Sequence, residues 1–300
     1  MGRMIHIATV HWNTERWIAL QHAYLQKHLK SEFRVYAWLN NIPDAPTDTF
    51  YYSTREPVAS HAVKLNLLAD VICAASRRDD DLIIFLDGDA FPVGELEPLI
   101  NQALATTKLL AIQRLENNGD SQPHPCFCAT TVGFWRKIKG DWKEGYRWKN
   151  KNGQDVTDVG GNLLKQLTLR HIEWTPILRS NQTDLHPLFF GIYGDVIYHH
   201  GAGFRKGETR VDRANLRLSP RDRILSKLIP GYGRRMRKKA FNQVIANNDA
   251  LSEQVFKSIQ TDPEFYKLFS GTPTTKASKL IWLAGLPDNP SQEIAGQLRR

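Results

Sequence analysis

Leu82-Ile83-Ile84-Phe85-Leu86-Asp87-Gly88-Asp89 is a short run of β-branched and aromatic residues that stops at two carboxylates. Followed by Ala90-Phe91-Pro92-Val93-Gly94, it predicts a buried strand that ends in a loop. Alternation along a strand turns Asp87 and Asp89 to the same side, and Gly88 between them lets a ligand approach the backbone closely. Two carboxylates at a strand exit suit a hard divalent cation, shared between protein oxygens and the phosphates of a nucleotide. A solvated Asp-Gly-Asp turn is the other meaning of the same letters.

The segments on either side of this run set the fold class. The pattern predicts a strand over 4–10, and a helix over 17–29 with Trp17, Leu20, Tyr24, Leu25 and Leu29 inward. A strand over 33–39 follows, closed by Asn40-Asn41-Ile42-Pro43, then helical periodicity over 58–75 leading to the Asp87 strand. Beyond it a helix is expected over 95–106 and a strand over 109–113. This β-α-β-α-β order predicts an α/β fold: a mostly parallel sheet covered by helices. Such sheets bind ligands at the carboxyl ends of their strands, where Val10-His11-Trp12 and Asp87-Gly88-Asp89 lie.

A second cluster stands far downstream, Asp195-Val196-Ile197-Tyr198-His199-His200-Gly201-Ala202-Gly203-Phe204-Arg205-Lys206. Another short β-type run ends there in imidazoles, then in glycines that free the backbone, then in two cations. A neutral imidazole completes the coordination of a metal already held by two carboxylates, and Gly203 and Lys206 suit a diphosphate. His200 fits the spacing His-x-x-Gly-x-x-Lys, whereas His199 points the other way along a strand.

Together these clusters resemble glycosyltransferases of the GT-A fold, which hold Mn²⁺ or Mg²⁺ on a sugar nucleotide with a strand-end D-x-D and a C-terminal His. The tail is similar to the His-x-x-Gly-x-x-Lys of the family containing glycogenin and the bacterial lipooligosaccharide galactosyltransferases, matched here by His200, Gly203 and Lys206. Gly207-Glu208 stand where that family carries Pro-Trp. By order of elements the resemblance covers roughly the first two-thirds of the chain. It implies a hexosyltransferase that uses a UDP- or GDP-type sugar donor, with Asp87, Asp89 and His200 on the cation. It also implies that Thr9, Val10, His11 and Trp12 face the base and ribose, with Trp12 available for stacking. Lys64, on the helix before the metal strand, is expected at the diphosphate with Gly88, Gly203 and Lys206.

The middle segment is expected to receive the acceptor. Residues 123–135, beginning Pro123-His124-Pro125, read as a loop entering a strand, rich in aromatic and small side chains. Asp158 then precedes Gly160-Gly161 and an amphipathic helix; it reads either as a cap or as the carboxylate that takes the acceptor's proton. Asn162 is the candidate for a supporting role on the donor face, as in retaining relatives. The tail motif leans towards retention and Asp158 towards inversion.

Composition narrows the remaining classes. A chain of 300 residues with 41% hydrophobic content fills one large α/β domain with an appendage. Three cysteines without a C-x-x-C pair argue against a disulfide scaffold and for a cytoplasmic setting; Cys126-x-Cys128 reads as buried packing. The N-terminus lacks the long apolar core of a signal peptide, and no segment has the length of a membrane span. Charge is concentrated: 13 Lys/Arg against Glu208, Asp212 and Asp222 lie between Arg205 and Lys239, in a chain whose net charge is +9.

Interleaved Ile224, Leu225, Leu228, Ile229, Tyr232, Met236 and Phe241 make this an apolar-plus-basic element suited to an anionic membrane surface. The expected division is therefore 1–206 for a GT-A-like catalytic domain and 207–300 for a basic, largely helical extension. The expected acceptor is a saccharide or lipid-linked intermediate in surface polysaccharide or glycolipid synthesis, met at the cytoplasmic membrane face. A nucleotidyltransferase is the rival enzyme, but Val10-His11-Trp12-Asn13 is not the Gly-rich, Lys-bearing loop it would carry. A basic nucleic-acid-binding protein shares the charge and leaves the ordered acidic and histidine clusters unexplained, so no nucleic acid partner is expected.

Overall fold

The computed structural model describes residues 3–117 and 119–270. The expected linker at Gly271-Thr272-Pro273-Thr274-Thr275 and the segment after it lie outside the described residues. The chain divides into two units, Met1–Phe204 and Arg205–Arg300. The division splits the His-x-x-Gly-x-x-Lys run, leaving His200 and Gly203 in the first unit and Lys206 in the second.

The first unit runs β1 (Ile5–Trp12), α1 (Ile18–His28), β2 (Phe33–Asn40), β3 (Tyr52–Thr54), α2 (His61–Ala75), β4 (Leu82–Asp87), β5 (Ala90–Pro92) and α3 (Leu96–Thr106). It continues through β6 (Leu109–Ile112), β7 (His124–Thr131), α4 (Val132–Ile138), β8 (Trp148–Lys149), β9 (Asp155–Val156) and α5 (Gly161–Leu169). It closes with β10 (Thr175–Ile177), β11 (Gly191–Tyr193) and β12 (Ile197–His199).

The main sheet has the order β10-β6-β7-β4-β1-β2-β3. Its β3-β2-β1-β4 portion is parallel, β10 is parallel to β6, and β7 runs antiparallel between β4 and β6. The fold is thus α/β with a mostly parallel sheet, as the strand and helix order predicts.

Alternation in β4 builds a core on both faces. Leu82, Ile84 and Leu86 join Leu25 and Leu29 of α1 and Ile100 of α3 on one side. Ile83 and Phe85 join Leu65, Leu68 and Ile72 of α2 and Trp135 of α4 on the other. The α2 residues recur at helical spacing, so one stripe of that helix meets the sheet. Because α1 and α2 cover opposite faces, the strand order reverses between β1 and β4. In open α/β sheets, ligands bind outside the carboxyl ends of the strands at such a point.

Two local details differ from the sequence reading. Helix α2 begins at His61 rather than at 58, because the Ser60 hydroxyl accepts the Val63 N–H and fixes the N-cap there. The strand expected within 123–135 stops at Thr131, whose side chain accepts the Phe134 N–H and starts α4 where continued strand is expected.

The second unit, taken by itself, is helical over its described residues: α6 (Arg210–Asn215), α7 (Pro220–Leu228), α8 (Tyr232–Thr261) and a 3₁₀ turn at Phe265–Phe269. The buried residues of α8 all fall in its second half, among them Leu251, Val255, Phe256 and Ile259. Of the helical segment expected over 249–269, the part to Thr261 is the end of a longer helix that starts at Tyr232, and the rest is a break followed by the 3₁₀ turn.

Candidate active site

The two sequence clusters meet through a small antiparallel sheet of order β11-β12-β5. Strand β4 ends beside β1, with Asp87 opposite Val10, and the chain turns through Gly88-Asp89 into β5. There Ala90 pairs with His199 of β12, and the His200 N–H donates to the Asp89 carbonyl at 3.0 Å. Pairing of residues more than a hundred positions apart thereby sets an imidazole over the carboxylates.

Asp87, Asp89 and His199 each offer a ligand atom, and these atoms lie within 4.8 Å of one another. The Nε2 of His199 stands 3.6 Å from Asp87 Oδ2 and 3.5 Å from Asp89 Oδ1. Side chains bound to one small cation at about 2.1 Å are separated by roughly 3.0–3.7 Å, so these spacings fit a shared ion. The donor set, two hard oxygens and one imidazole nitrogen, also suits Mn²⁺ or Mg²⁺.

Each carboxylate is held from behind. Asp89 Oδ2 accepts the N–H groups of Gly201 and Gly203, both at 3.0 Å, leaving Oδ1 for the His199 side. The Trp17 indole N–H donates to the Gly203 carbonyl and fixes that loop. Gln21 donates its amide N–H groups to the carbonyls of Asp87 and Ala90, bracing the turn from α1. His61, at the start of α2, lies 3.1 Å from Asp87 Oδ1. Strand parity explains that contact: Asp87 falls on the α2 face with Ile83 and Phe85.

Burial works to raise the Asp87 carboxyl. The imidazole of His61, through its hydrogen bond and charge, outweighs it with help from His199, leaving the group well below the ordinary carboxylate range. Asp89 is likewise depressed: burial opposes the shift, and the imidazole of His199 dominates. Both acids therefore stay ionised at neutral pH.

The third donor corrects the sequence expectation. His200 is fully buried, its ring 4.7 Å from that of Trp17 and 5.0 Å from that of Phe190, with Nδ1 2.8 Å from the Tyr198 hydroxyl. Burial drives its pKa down to about 3, keeping it neutral and part of the packing. The alternation that separates the two imidazoles is real, but the pairing of β12 with β5 turns His199 to the carboxylates.

The nucleotide-facing candidates divide in the same way. Thr9 and Val10 are core residues, and the Thr9 hydroxyl donates to the Gln21 side-chain carbonyl. His11 is fully buried near Phe50 and Phe204, and burial lowers its pKa to about 4. Trp12 is 43% exposed, which leaves it as the residue of that strand end able to stack on a base. Gly88 does not open space for a ligand: a Cβ there would lie 2.6 Å from the Val10 carbonyl oxygen and 2.7 Å from His11 Nδ1. The missing side chain admits the protein's own packing. Gly203 serves similarly, its N–H and carbonyl being used by Asp89 and Trp17.

Lys64 is buried on α2, and desolvation lowers its pKa. Lys206 is exposed in the second unit. Asp158 is half-buried in the turn before α5, and its Oδ1 accepts the N–H of Val159. It does not cap the helix, since Gly160 occupies the N-cap with φ +92°. Gly160 is required there, because a Cβ would meet the Pro123 carbonyl oxygen at 2.2 Å. The Asn162 amide donates to Asp141 Oδ2 at 2.8 Å, within a structural cluster that also takes up Asn66.

Sequence reasoning passed over three groups that the fold gathers. His61 and His124 stand with His199 around Asp87; the His124 ring centre is 6.5 Å from that of His199, and burial holds its pKa far down. Asp120, almost fully buried, has its carboxyl pushed up to about 6 by burial, with the Asp158 charge adding to the rise. Position is the usable signal: His61 opens a helix and His124 opens a strand.

No protein-family model and no curated protein matches the chain. Solved structures do. An active-site mutant of LgtC shares 12% identity over 44% of this chain and 59% of its own, with a TM-score of 0.32. The catalytic domain of Drosophila beta1,4-galactosyltransferase 7, complexed with xylobiose, shares 10% identity over 74% of this chain and 79% of its own, at a TM-score of 0.40. A mannosyltransferase from Pyrobaculum calidifontis, in complex with GDP-Man and Mn²⁺, shares 10% over 46% of this chain and 47% of its own, at 0.32. The match thus spans less than two thirds of the first and third of these proteins, at 59% and 47%.

Proposed function

We propose that the chain is a metal-dependent hexosyltransferase that moves a sugar from a UDP- or GDP-type donor to a saccharide or lipid-linked acceptor. Surface polysaccharide or glycolipid synthesis is the setting that suits such an acceptor. The observation that carries this reading is the largely buried Asp87, Asp89 and His199 group at the reversal point of the sheet. Two ionised carboxylates in low-dielectric surroundings repel each other and lose hydration, a cost that a bound cation offsets. Asp87, Asp89 and His199 would hold Mn²⁺ or Mg²⁺, whose charge stabilises the departing nucleoside diphosphate.

This chain's own groups account for the remaining requirements. Gly201 and Gly203 fix Asp89 through their N–H groups, and His61 fixes Asp87, so the donor atoms are preorganised. Trp12 offers an exposed indole face to the base. Asp158 is the proposed acceptor-side group: in an inverting reaction its carboxylate takes the proton from the acceptor hydroxyl as the new C–O bond forms.

A panel of sugar nucleotides, assayed by donor hydrolysis with and without Mn²⁺, tests the proposal. Metal-dependent release of one nucleoside diphosphate is the expected result. Undiminished turnover in excess chelator would remove the cation reading, and Asp158→Asn is expected to reduce transfer far more than donor binding.

A further inference from the structure

The hairpin of α7 and α8 in the second unit is built to expose what proteins usually cover. Ser219 caps α7 by accepting the Asp222 N–H, and the helix ends at the turn Ile229-Pro230-Gly231. Gly231, with φ +79°, reverses the chain, and the Tyr232 N–H donates to the Ile229 carbonyl. The Tyr232 hydroxyl donates to Asp222 Oδ1 at 2.8 Å, tying the two helices together. This is an ordered element, yet α7 has no buried residue.

Its apolar side chains are gathered at one end. Ile224 is 62% exposed, Leu228 71% and Ile229 47%. Ile224 and Leu228 are one helical turn apart on the same face, and Ile229 continues that surface into the turn. Around them Arg221, Arg223, Lys227, Arg234, Arg235, Arg237, Lys238 and Lys239 are all exposed. Arg235, Lys238 and Lys239 line one open groove with Asn242 and Gln243. The acid between them, Asp222, is taken up by Ser219 and Tyr232. Eight exposed cations thus face a single acid that is already held by two hydroxyls, and the hairpin is strongly positive.

Single exposed apolar residues are ordinary, but an apolar cluster on a hairpin that also exposes eight cations is an amphipathic surface with a defined complement. We propose that the α7–α8 turn docks on an anionic lipid bilayer, with Ile224, Leu228 and Ile229 entering the headgroup boundary and the cations of both helices on lipid phosphates. A nucleic acid would satisfy the charge and leave the apolar tip in water. Among the described residues no helix is long and apolar enough to cross a membrane, so the contact is peripheral. The proposal stands apart from the cation site and needs neither donor nor metal.

The test is co-sedimentation of the full chain with phosphatidylglycerol/phosphatidylcholine vesicles and with phosphatidylcholine alone, without nucleotide or Mn²⁺. Each cation near an anionic surface contributes about fivefold, so Arg235→Gln/Lys238→Gln/Lys239→Gln should weaken anionic-vesicle binding on the order of a hundredfold. Ile224→Gln/Leu228→Gln/Ile229→Gln should abolish the binding that survives in high salt, where charge is screened. Both variants alter exposed positions and should melt with the wild type. Wild-type vesicle binding by either variant would overturn the proposal. So would equal binding of the wild type to neutral vesicles, or displacement from vesicles by duplex RNA that the apolar variant still binds as the wild type does.

Discussion

The β4–β5 turn and the α7–α8 turn violate the ordinary solvation rule in opposite directions. At the first, Asp89 and His199 are buried and Asp87 nearly so, although charged groups prefer water. At the second, Ile224, Leu228 and Ile229 stand in water, although such side chains prefer the core. The first region is braced by hydrogen bonds from Gly201, Gly203, Gln21 and Trp17, and its geometry is fixed in advance. The second is tied down by a cap, a tight turn and the bond from Tyr232 to Asp222, and its surface is left open. Each pattern is costly in isolation, and each of the two proposals supplies the partner that would resolve it: a small cation in one case, an amphipathic anionic surface in the other.

The strongest way to break this comparison is at Asp89. Replacement by Asn preserves the shape and an oxygen for the glycine N–H groups while removing the charge. Sugar transfer should fall by on the order of a thousandfold with the circular dichroism spectrum unchanged. Turnover near that of the wild type would mean that the buried charge serves folding alone.

The paired imidazoles sharpen the same point. His199→Ala should weaken Mn²⁺-dependent nucleotide binding by roughly 10–100-fold with a small change in melting temperature. His200→Ala should do the reverse, destabilising the fold by about 2–4 kcal/mol through the cavity left between Trp17 and Phe190. Equal effects of the two variants on metal-dependent binding would erase the distinction between a site residue and a packing residue.

Gly88→Ala asks whether the turn is a packing contact. With the Val10 oxygen 2.6 Å from the added Cβ, a loss of about 1–3 kcal/mol is expected in urea unfolding. A neutral substitution would show that β1 and the turn separate easily.

The smallest expected effect is a gain. Burial raises the Asp120 carboxyl to about 6, above the value of about 3.9 in an unfolded chain. The folded state then binds the proton more tightly, so stability falls as pH rises from about 4 to 6, and the cost is complete at pH 7. Asp120→Asn should therefore raise stability at pH 7 by on the order of 1–2 kcal/mol, with no difference from the wild type below pH 4. Thermal melts across that range give the sign directly.

The parts of this molecule that were legible in the sequence are those written locally. The β4 run, the stripe of α2 and the strand–helix alternation all follow from side chains a few residues apart, and they suffice for the sheet. What escaped was set by distant pairing. The choice between His199 and His200 depends on how β12 docks on β5, and the His-x-x-Gly-x-x-Lys spacing does not contain that register. The contact of His61 with Asp87 likewise arises because α2 packs on the face to which the last residue of β4 turns. Asp158 reads either as a cap or as an acceptor-side carboxylate because it lies near a helix start, but the left-handed Gly160 takes the N-cap and the carboxylate accepts its neighbour's N–H. Thr131 ended a strand that its apolar surroundings suggested would continue, because one hydroxyl cap outweighs a weak strand preference.

The central claim is that Asp87, Asp89 and His199 form one cation site. Titration of Mn²⁺ followed by loss of the free-ion electron paramagnetic resonance signal, with UDP or GDP present, tests it most directly. The account predicts one saturable site per chain, lost in Asp87→Asn and Asp89→Asn, weakened in His199→Ala and retained by the folded fraction of His200→Ala. Saturable binding of undiminished affinity in Asp89→Asn, or no saturable binding to the wild type with either nucleotide, would contradict it.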